Sequence, residues 1–325
     1  MLRRKLAVSV LSFSLLMGSA AAMAKTVFIA SDVHPADYPT TAAVIHMGEK
    51  LSQQTDGRLS IRMFPSGQMG DESTTLEKTR AGAIDILRVS MAPVGGILPQ
   101  VSVFNMPFVF RDTDHQHKVL DGDIGNTLAK EISDSNLGLV FLGWMDAGSR
   151  SLITKKPITS LDDLKGVKIR LQNNPIGLDT FKALGANPIV LPVGDVFASL
   201  QTGVIDAAEN NEPTFDTENY VVAGTKYFDL TEHFMIPEVL AFSKRKWSKL
   251  SADDQALIMK LAKEAQAEER VLWAEYVEKS KQRLQSQGVK FLPVDKKPFV
   301  DATAPVREKY GKQFSDLMQQ IQDTK

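Results

Sequence analysis

The sequence has no cysteine. That excludes a disulfide scaffold, a zinc ribbon, an iron–sulfur cluster and thiol catalysis together. It has no excess of either charge: 38 Lys+Arg stand against 39 Asp+Glu, a formal net charge of −1. A nucleic-acid binder would carry a basic surplus, so no nucleic-acid partner is expected. There is no Walker loop, no G-x-G-x-x-G, no H-E-x-x-H and no G-x-S-x-G. Catalysis therefore has no positive signature, and no catalytic residue, metal or cofactor is expected. What is present is apolar bulk. Of 325 residues, 43% are hydrophobic, too many for a disordered chain and enough for two compact lobes or one large domain.

Long apolar runs are also missing, with one exception at the start. Met1–Ala24 has a basic opening (Arg3, Arg4, Lys5), an apolar stretch over Leu6–Met17 and an A-x-A signal at Ala22-Met23-Ala24. This reads as a signal peptide cleaved after Ala24, because the run is short for a membrane span. Cleavage removes three of the 38 basic residues and none of the 39 acidic ones, so the mature charge is about −4. A soluble, exported, periplasmic protein is expected.

The mature chain alternates strand and helix signals. Thr26–Ala30, Leu59–Phe64, Ala83–Val89 and Leu137–Gly143 read as strands. Tyr38–Thr55, Ser73–Ala81 and His115–Ile132 read as helices. A second block follows, with strands at Ser151–Thr154, Val167–Leu171, Ile189–Leu191 and Val204–Ala208. Helices are predicted between them at Gly177–Leu184 and Asp195–Thr202. Ser160 and Asp163 have capping-box spacing. This rhythm predicts two α/β lobes with largely parallel sheets, joined by several crossing strands rather than one long linker. Ser251–Gln287 contains neither Pro nor Gly. At ~1.5 Å per residue it would reach about 55 Å. It is either two helices with a kink or one helix that lies across both lobes.

Few side chains point to chemistry. His115-Gln116-His117 beside Asp112 and Asp114 looks like a metal cluster, but i and i+2 side chains diverge on a helix. A solvated surface is predicted there. The acidic pairs Asp71-Glu72 and Glu209…Glu212 are of a common kind and do not by themselves indicate a glycosidase. Arg170 ends a strand in an apolar context, so it is either an internal salt bridge or a cleft-facing cation. Arg150, Asn210 and Asn211 are also placed by strand ends, where open α/β sheets gather ligands. Arginine binds a carboxylate through two parallel hydrogen bonds, so this set is a candidate anion-and-hydroxyl site.

These residues sit in stretches that resemble the DctP-type solute-binding proteins of TRAP (tripartite ATP-independent periplasmic) transporters. The matching stretches are Phe64–Glu72 (FPSGQMGDE), Gly82–Asp85 (GAID), Asn105–Phe108 (NMPF), Gly148–Arg150 (GSR) and Leu161–Arg170 (LDDLKGVKIR). Leu200–Asn210 (LQTGVIDAAEN) and Val239–Ser243 (VLAFS) complete the set. The resemblance implies a two-lobed periplasmic binding protein fold, α/β with mixed, mostly parallel sheets and a long helix crossing both lobes. Lobe I is expected over 25–147 plus about 235–270, and lobe II over 148–234 plus about 271–325. The resemblance also implies that Arg170 pairs with a ligand carboxylate, supported by Asn210 and Arg150. Its partner would be a TRAP membrane permease of a small and a large component, driven by an ion gradient. A monomer is expected.

Four further stretches are similar to the branch that binds hexuronates such as glucuronate and galacturonate. They are His34–Thr40 (HPADYPT), Leu87–Ser90 (LRVS), Trp144–Gly148 (WMDAG) and Ile236–Val239 (IPEV). On that reading Glu72, Arg88, His34, Glu238, Asn211, Ser90 and Asn173 join the ligand site, where polar groups meet sugar hydroxyls. His34 and Tyr38 could equally shape the first turn, and Glu238 could form a buried ion pair. Trp144 is expected in the hinge core. The alternatives are another small carboxylate (an aldonate, a hydroxy acid or a dicarboxylate) or a secreted uronide hydrolase.

Overall fold

The computed structural model describes residues 25–325, and the expected signal peptide, 1–24, lies outside the described residues. The first lobe begins β1 (Thr26–Ser31), α1 (Pro39–Gln54), β2 (Leu59–Phe64), α2 (Glu72–Ala81), β3 (Ile86–Ser90) and α3 (Met91–Gly95). It continues with α4 (Thr113–Asp121), α5 (Asp123–Asp134) and β4 (Leu139–Met145). The second lobe follows as β5 (Arg150–Thr154), β6 (Lys168–Leu171), α6 (Pro175–Ala183), β7 (Asn187–Val190), α7 (Val196–Thr202), β8 (Ala207–Asn210), α8 (Glu212–Thr217) and β9 (Tyr227–Phe234). Then come β10 (Glu238–Ser243), α9 (Lys244–Trp247), α10 (Ala252–Ser286), β11 (Lys290–Pro293), α11 (Lys297–Ala302), α12 (Ala304–Gly311) and α13 (Ser315–Asp323).

There are two sheets, ordered β2-β1-β3-β10-β4 and β11-β9-β5-β8-β6-β7. Five strand pairings are parallel and four antiparallel, so the sheets are mixed with a parallel majority. The chain passes between lobes at 146–149 and again at 235–237. The second passage inserts β10 antiparallel between β3 and β4. Helices cover the sheets because their apolar residues recur at three- and four-residue spacing. In α1, for example, Ala43, Val44, Met47 and Leu51 are buried.

The long segment is one helix. Ser251 caps α10 by accepting from Asp254 N, and the helix runs 35 residues without a break, about 52 Å. Ile258, Leu261, Ala262 and Ala265 join the core of the first lobe. Leu284 joins the core of the second. The helix therefore bolts both lobes together. The last helix, α13, returns to α5 of the first lobe, while α12 packs on α6 of the second. Among the described residues no helix is long and apolar enough to cross a membrane.

Three sequence expectations need correction. The helix predicted over His115–Ile132 splits at Gly122, where a Cβ would come 2.8 Å from Lys118 O. The strand predicted at Val204–Ala208 forms at Ala207–Asn210 instead. Gly203 ends α7 in the left-handed region, the next residues turn, and pairing with β5 sets the register at Ser151↔Asn210. Third, His115 is buried rather than solvated. Its Nδ1 accepts from Arg111 N at 3.0 Å and its Nε2 lies 2.8 Å from Ile321 O. That oxygen belongs to α13, whose docking the local pattern could not show. His117 pairs with Asp146 at 2.8 Å. Trp144 is in the core, edge-on to Phe104 at 5.6 Å.

The first crossing has a backbone requirement. Gly148 has φ +59°, and a Cβ there would approach Trp273 Cζ2 of α10 to 3.1 Å. Left-handed backbone costs an L-residue roughly 1–2 kcal/mol. Gly148→Ala is therefore expected to lower stability by at least that range, measured by urea unfolding. An unchanged midpoint would contradict the strain assigned to this crossing.

Candidate ligand-binding site

The parallel strands β1, β3, β6 and β8 point their carboxyl ends at the space between the lobes. The antiparallel strands β5 and β10 begin there. Six strands thus deliver polar side chains to one cleft, as open α/β sheets do. The cleft holds a cavity of about 240 Å³. Its wall includes His34, Glu72 and Glu238 from the first lobe and Arg150, Arg170, Asn173, Asn210 and Asn211 from the second. An apolar strip at Leu191, Pro192 and Val193 completes one side.

Three arginines sit at or behind this wall, all nearly fully buried. Their partners differ. Arg150 donates from Nε to Glu209 Oε2 at 2.6 Å and from Nη2 to Glu209 Oε1 at 2.8 Å. Its Nη1 donates to Asn210 Oδ1 at 2.9 Å. Burial works against charge on Glu209, but Arg150 and His233 overcome it and hold the carboxyl down at about 2. Arg150 is therefore neutralised within the fold.

Arg88 is oversupplied with acids. Its Nε donates to Asp32 Oδ1 at 3.0 Å and its Nη2 to the same oxygen at 2.5 Å. Nη1 donates to Glu72 Oε1 at 2.7 Å and lies 2.9 Å from Glu238 Oε1. Arg88 does not line the cavity. It stands behind it and fixes two cavity acids. Ser90 is likewise behind the wall. Its Oγ accepts from Ala92 N, capping α3, and its own N donates to Glu72 Oε1 at 3.1 Å.

Arg170 has no acid partner. Its Nε donates to Leu191 O at 2.8 Å, and Nη1 and Nη2 have no hydrogen-bond partner among the described residues. No ion pair reaches it among the described residues. Burial, aided by the nearby Arg150 charge, presses its pKa down. A buried cation without a partner is a costly arrangement that a ligand anion would relieve.

The remaining polar groups are oriented by the fold. Asn210 Oδ1 also accepts from Asn211 N at 2.9 Å. Its carbonyl side is thereby occupied, and its Nδ2 has no protein partner among the described residues. Asn211 caps α8 by accepting from Thr214 N, and its Nδ2 donates to Ala147 O at 2.9 Å. Asn173 is at the cavity rim, whereas Asn174 is the N-cap of α6. His34 stacks on Tyr38 at 3.9 Å between ring centroids. Burial and the Arg88 charge push the His34 pKa down to about 3, so it is neutral.

Sequence reasoning missed Gln172 and Asp32, and it named Tyr38 and Glu209 without the partners they meet. Gln172 donates to Glu72 Oε2 at 3.2 Å across the cleft. Its signal was available, since it lies two residues after Arg170 and strand side chains at i and i+2 share a face. Tyr38 Oη reaches the second lobe, 3.1 Å from Thr214 Oγ1. Asp32 and Glu209 act through Arg88 and Arg150, and only the folded pairing reveals them. Among the described residues no group of three or more His, Asp or Glu could hold a metal ion.

Known proteins share this architecture. A TRAP periplasmic solute binding protein from Citrobacter koseri with bound D-glucuronate is 50% identical, with a TM-score of 0.90 over 92% of this chain and all of that one. The same Citrobacter koseri protein in its apo, open structure gives a TM-score of 0.81 over 91% of this chain and 98% of that one, at 49% identity. The lobes here thus stand nearer the bound arrangement than the open one. A TRAP periplasmic solute binding protein from Xanthobacter autotrophicus Py2 with bound β-D-galacturonate is 37% identical, with a TM-score of 0.88 over 92% of this chain and all of that one. The profile of bacterial extracellular solute-binding proteins, family 7, matches residues 30–313. With the matched segment covering most of the sequence, the chain belongs to this family, the DctP family of solute-binding proteins.

Proposed function

We propose that the protein captures a hexuronate, D-glucuronate or D-galacturonate, in the periplasm and passes it unchanged to a TRAP permease. The observation that carries this reading is the unmatched buried guanidinium of Arg170 at the cavity wall. Nη1 and Nη2 of Arg170 receive the ligand carboxylate as a planar fork. Asn210 Nδ2 adds a donor beside them. Glu72, Glu238 and His34 meet the hydroxyls, and the Leu191–Val193 strip lies against the apolar edge of the sugar. The bound hexuronates of the Citrobacter koseri and Xanthobacter autotrophicus proteins support this ligand class.

Capture is a closure. Tyr38 and Thr214, and Glu72 and Gln172, meet across the cleft, and the 146–149 and 235–237 crossings are the points that must bend. Excluding water strengthens the ionic hydrogen bonds inside. Small-angle scattering is expected to show a smaller radius of gyration when D-glucuronate is added. Identical curves with and without it would contradict closure.

A thermal-shift panel tests the ligand. D-glucuronate and D-galacturonate are expected to raise the melting temperature in proportion to the logarithm of their concentration. Neutral D-glucose and D-galactose, which lack the carboxylate, are expected to leave it unchanged. A shift with an aldonate or a short dicarboxylate alone would replace the hexuronate while keeping the anion site. A shift with the neutral sugars alone would remove Arg170 from the mechanism. Recovery of the ligand intact after incubation tests that capture involves no chemical conversion.

A further inference from the structure

We propose that Glu238 meets the captured sugar as a neutral carboxylic acid and donates the proton on Oε2 to a ligand oxygen, so that capture weakens in alkali. This rests on the hexuronate reading of the cavity. Glu238 is the first residue of β10, opposite Ser90 of β3 and Met145 of β4, and only 6% exposed. Oε1 shares Arg88 Nη1 with Glu72. Oε2 is itself buried and meets no protein donor or acceptor among the described residues, and Glu238 is part of the cavity wall, so a small turn of its carboxyl brings that oxygen to a ligand.

One guanidinium cannot neutralise three acids. Asp32 takes two of its N–H groups and is held ionised, against its burial, by the Arg88 charge. Glu238 is left as the surplus acid. The groups that face it come from every neighbouring element: Arg88 from β3, Asp32 and His34 after β1, Glu72 from α2, and Arg150 from β5. Tyr38, the residue before α1, and Glu269 of α10 complete them. His34 is neutral, and Arg150 is committed to Glu209. Burial raises the Glu238 pKa to about 8, with Glu72 and Asp32 adding to the rise and Arg88 opposing it.

The chemistry suits an anionic sugar. An ionised Glu238 would place a second negative charge in a closed cavity beside the incoming uronate. The neutral acid adds no repulsion, and its O–H supplies a donor to a ring or hydroxyl oxygen. If the bound state requires that proton, affinity is full below about 8 and falls as the pH rises past it, approaching tenfold per pH unit.

Titration calorimetry with D-glucuronate from pH 6 to pH 9 tests this on the wild-type protein and on Glu238→Gln. The wild type is expected to lose about tenfold in affinity between pH 7 and pH 9. It should also take up nearly one proton per ligand at pH 9, read from binding enthalpies in buffers of different ionisation heat. Glu238→Gln is expected to bind several-fold more weakly at pH 7, with a flat pH profile. A wild-type profile flat to pH 9, or the same alkaline fall in Glu238→Gln, would overturn the proposal. Carbon NMR of glutamate carboxyls in the ligand-free protein separates this from the ligand assignment. A carboxyl titrating above the ordinary glutamate range and absent from Glu238→Gln is expected even if D-glucuronate does not bind, because Asp32, Glu72 and Arg88 share the first lobe with Glu238 and stay beside it when the lobes open. Its titration in the ordinary glutamate range would overturn the proposal whatever the ligand is.

Discussion

Arg170→Ala is expected to reduce hexuronate affinity by about 30-fold to several thousand-fold. The carboxylate would enter a closed cavity without its fork, and truncating one side of such a pair costs on the order of 2–5 kcal/mol. Arg170→Lys is expected to restore little, because an ammonium offers a point charge where a planar pair of donors is needed. The ligand-free protein should be little affected by losing this cation. Arg170 is buried with a single backbone acceptor, Leu191 O. Since its guanidinium holds no acid of the fold, exchange for an apolar residue such as methionine is expected to leave the ligand-free protein about as stable. Calorimetry on Arg170→Ala and thermal melts of ligand-free Arg170→Met read the two effects separately. Near wild-type affinity in the first would take Arg170 out of the site. A collapse of the second would make it a structural residue.

Arg88→Met is expected to do the reverse, with its main damage in the fold itself. Arg88 is 1% exposed and faces Asp32, Glu72 and Glu238. Removing the shared cation leaves buried acids uncompensated, a loss of about 3–5 kcal/mol. In a chain of this size the melting temperature should drop by on the order of 10 °C. The sign of the pH effect follows from Asp32, whose folded pKa is depressed because the Arg88 attraction outweighs burial. Its contribution is present above the ordinary aspartate value and is lost as the pH falls through the folded one. The gap between wild type and Arg88→Met should therefore be widest at neutral pH and narrow in acid. Melts at pH 7 and at a pH well below the ordinary aspartate value check this, and a gap that widens in acid would contradict the charge assignment.

The contrast between these two arginines shows what a sequence can display. Arg150, Arg170 and Asn210 were legible because strand ends are visible in local patterning and a doubly wound sheet sends its ligands there. Arg88 was equally visible as a cation but not as a hub. Its partners stand at positions 32, 72 and 238, brought together by β1, α2 and the inserted strand β10. No periodicity in the chain announces that meeting. The same holds for Glu209, an acid in a strand whose role is set by the neighbouring Arg150. Ser251 and the absence of Gly and Pro through Gln287 made the long helix readable. What required the fold was its continuity across both lobe cores.

A crystal structure of the protein grown with D-glucuronate tests the clamp most directly. The expected result is a carboxylate with its two oxygens within hydrogen-bonding distance of Nη1 and Nη2 of Arg170, under closed lobes. A sugar lodged between the lobes with its acid group turned to the solvent rim, and that guanidinium left empty, would contradict it.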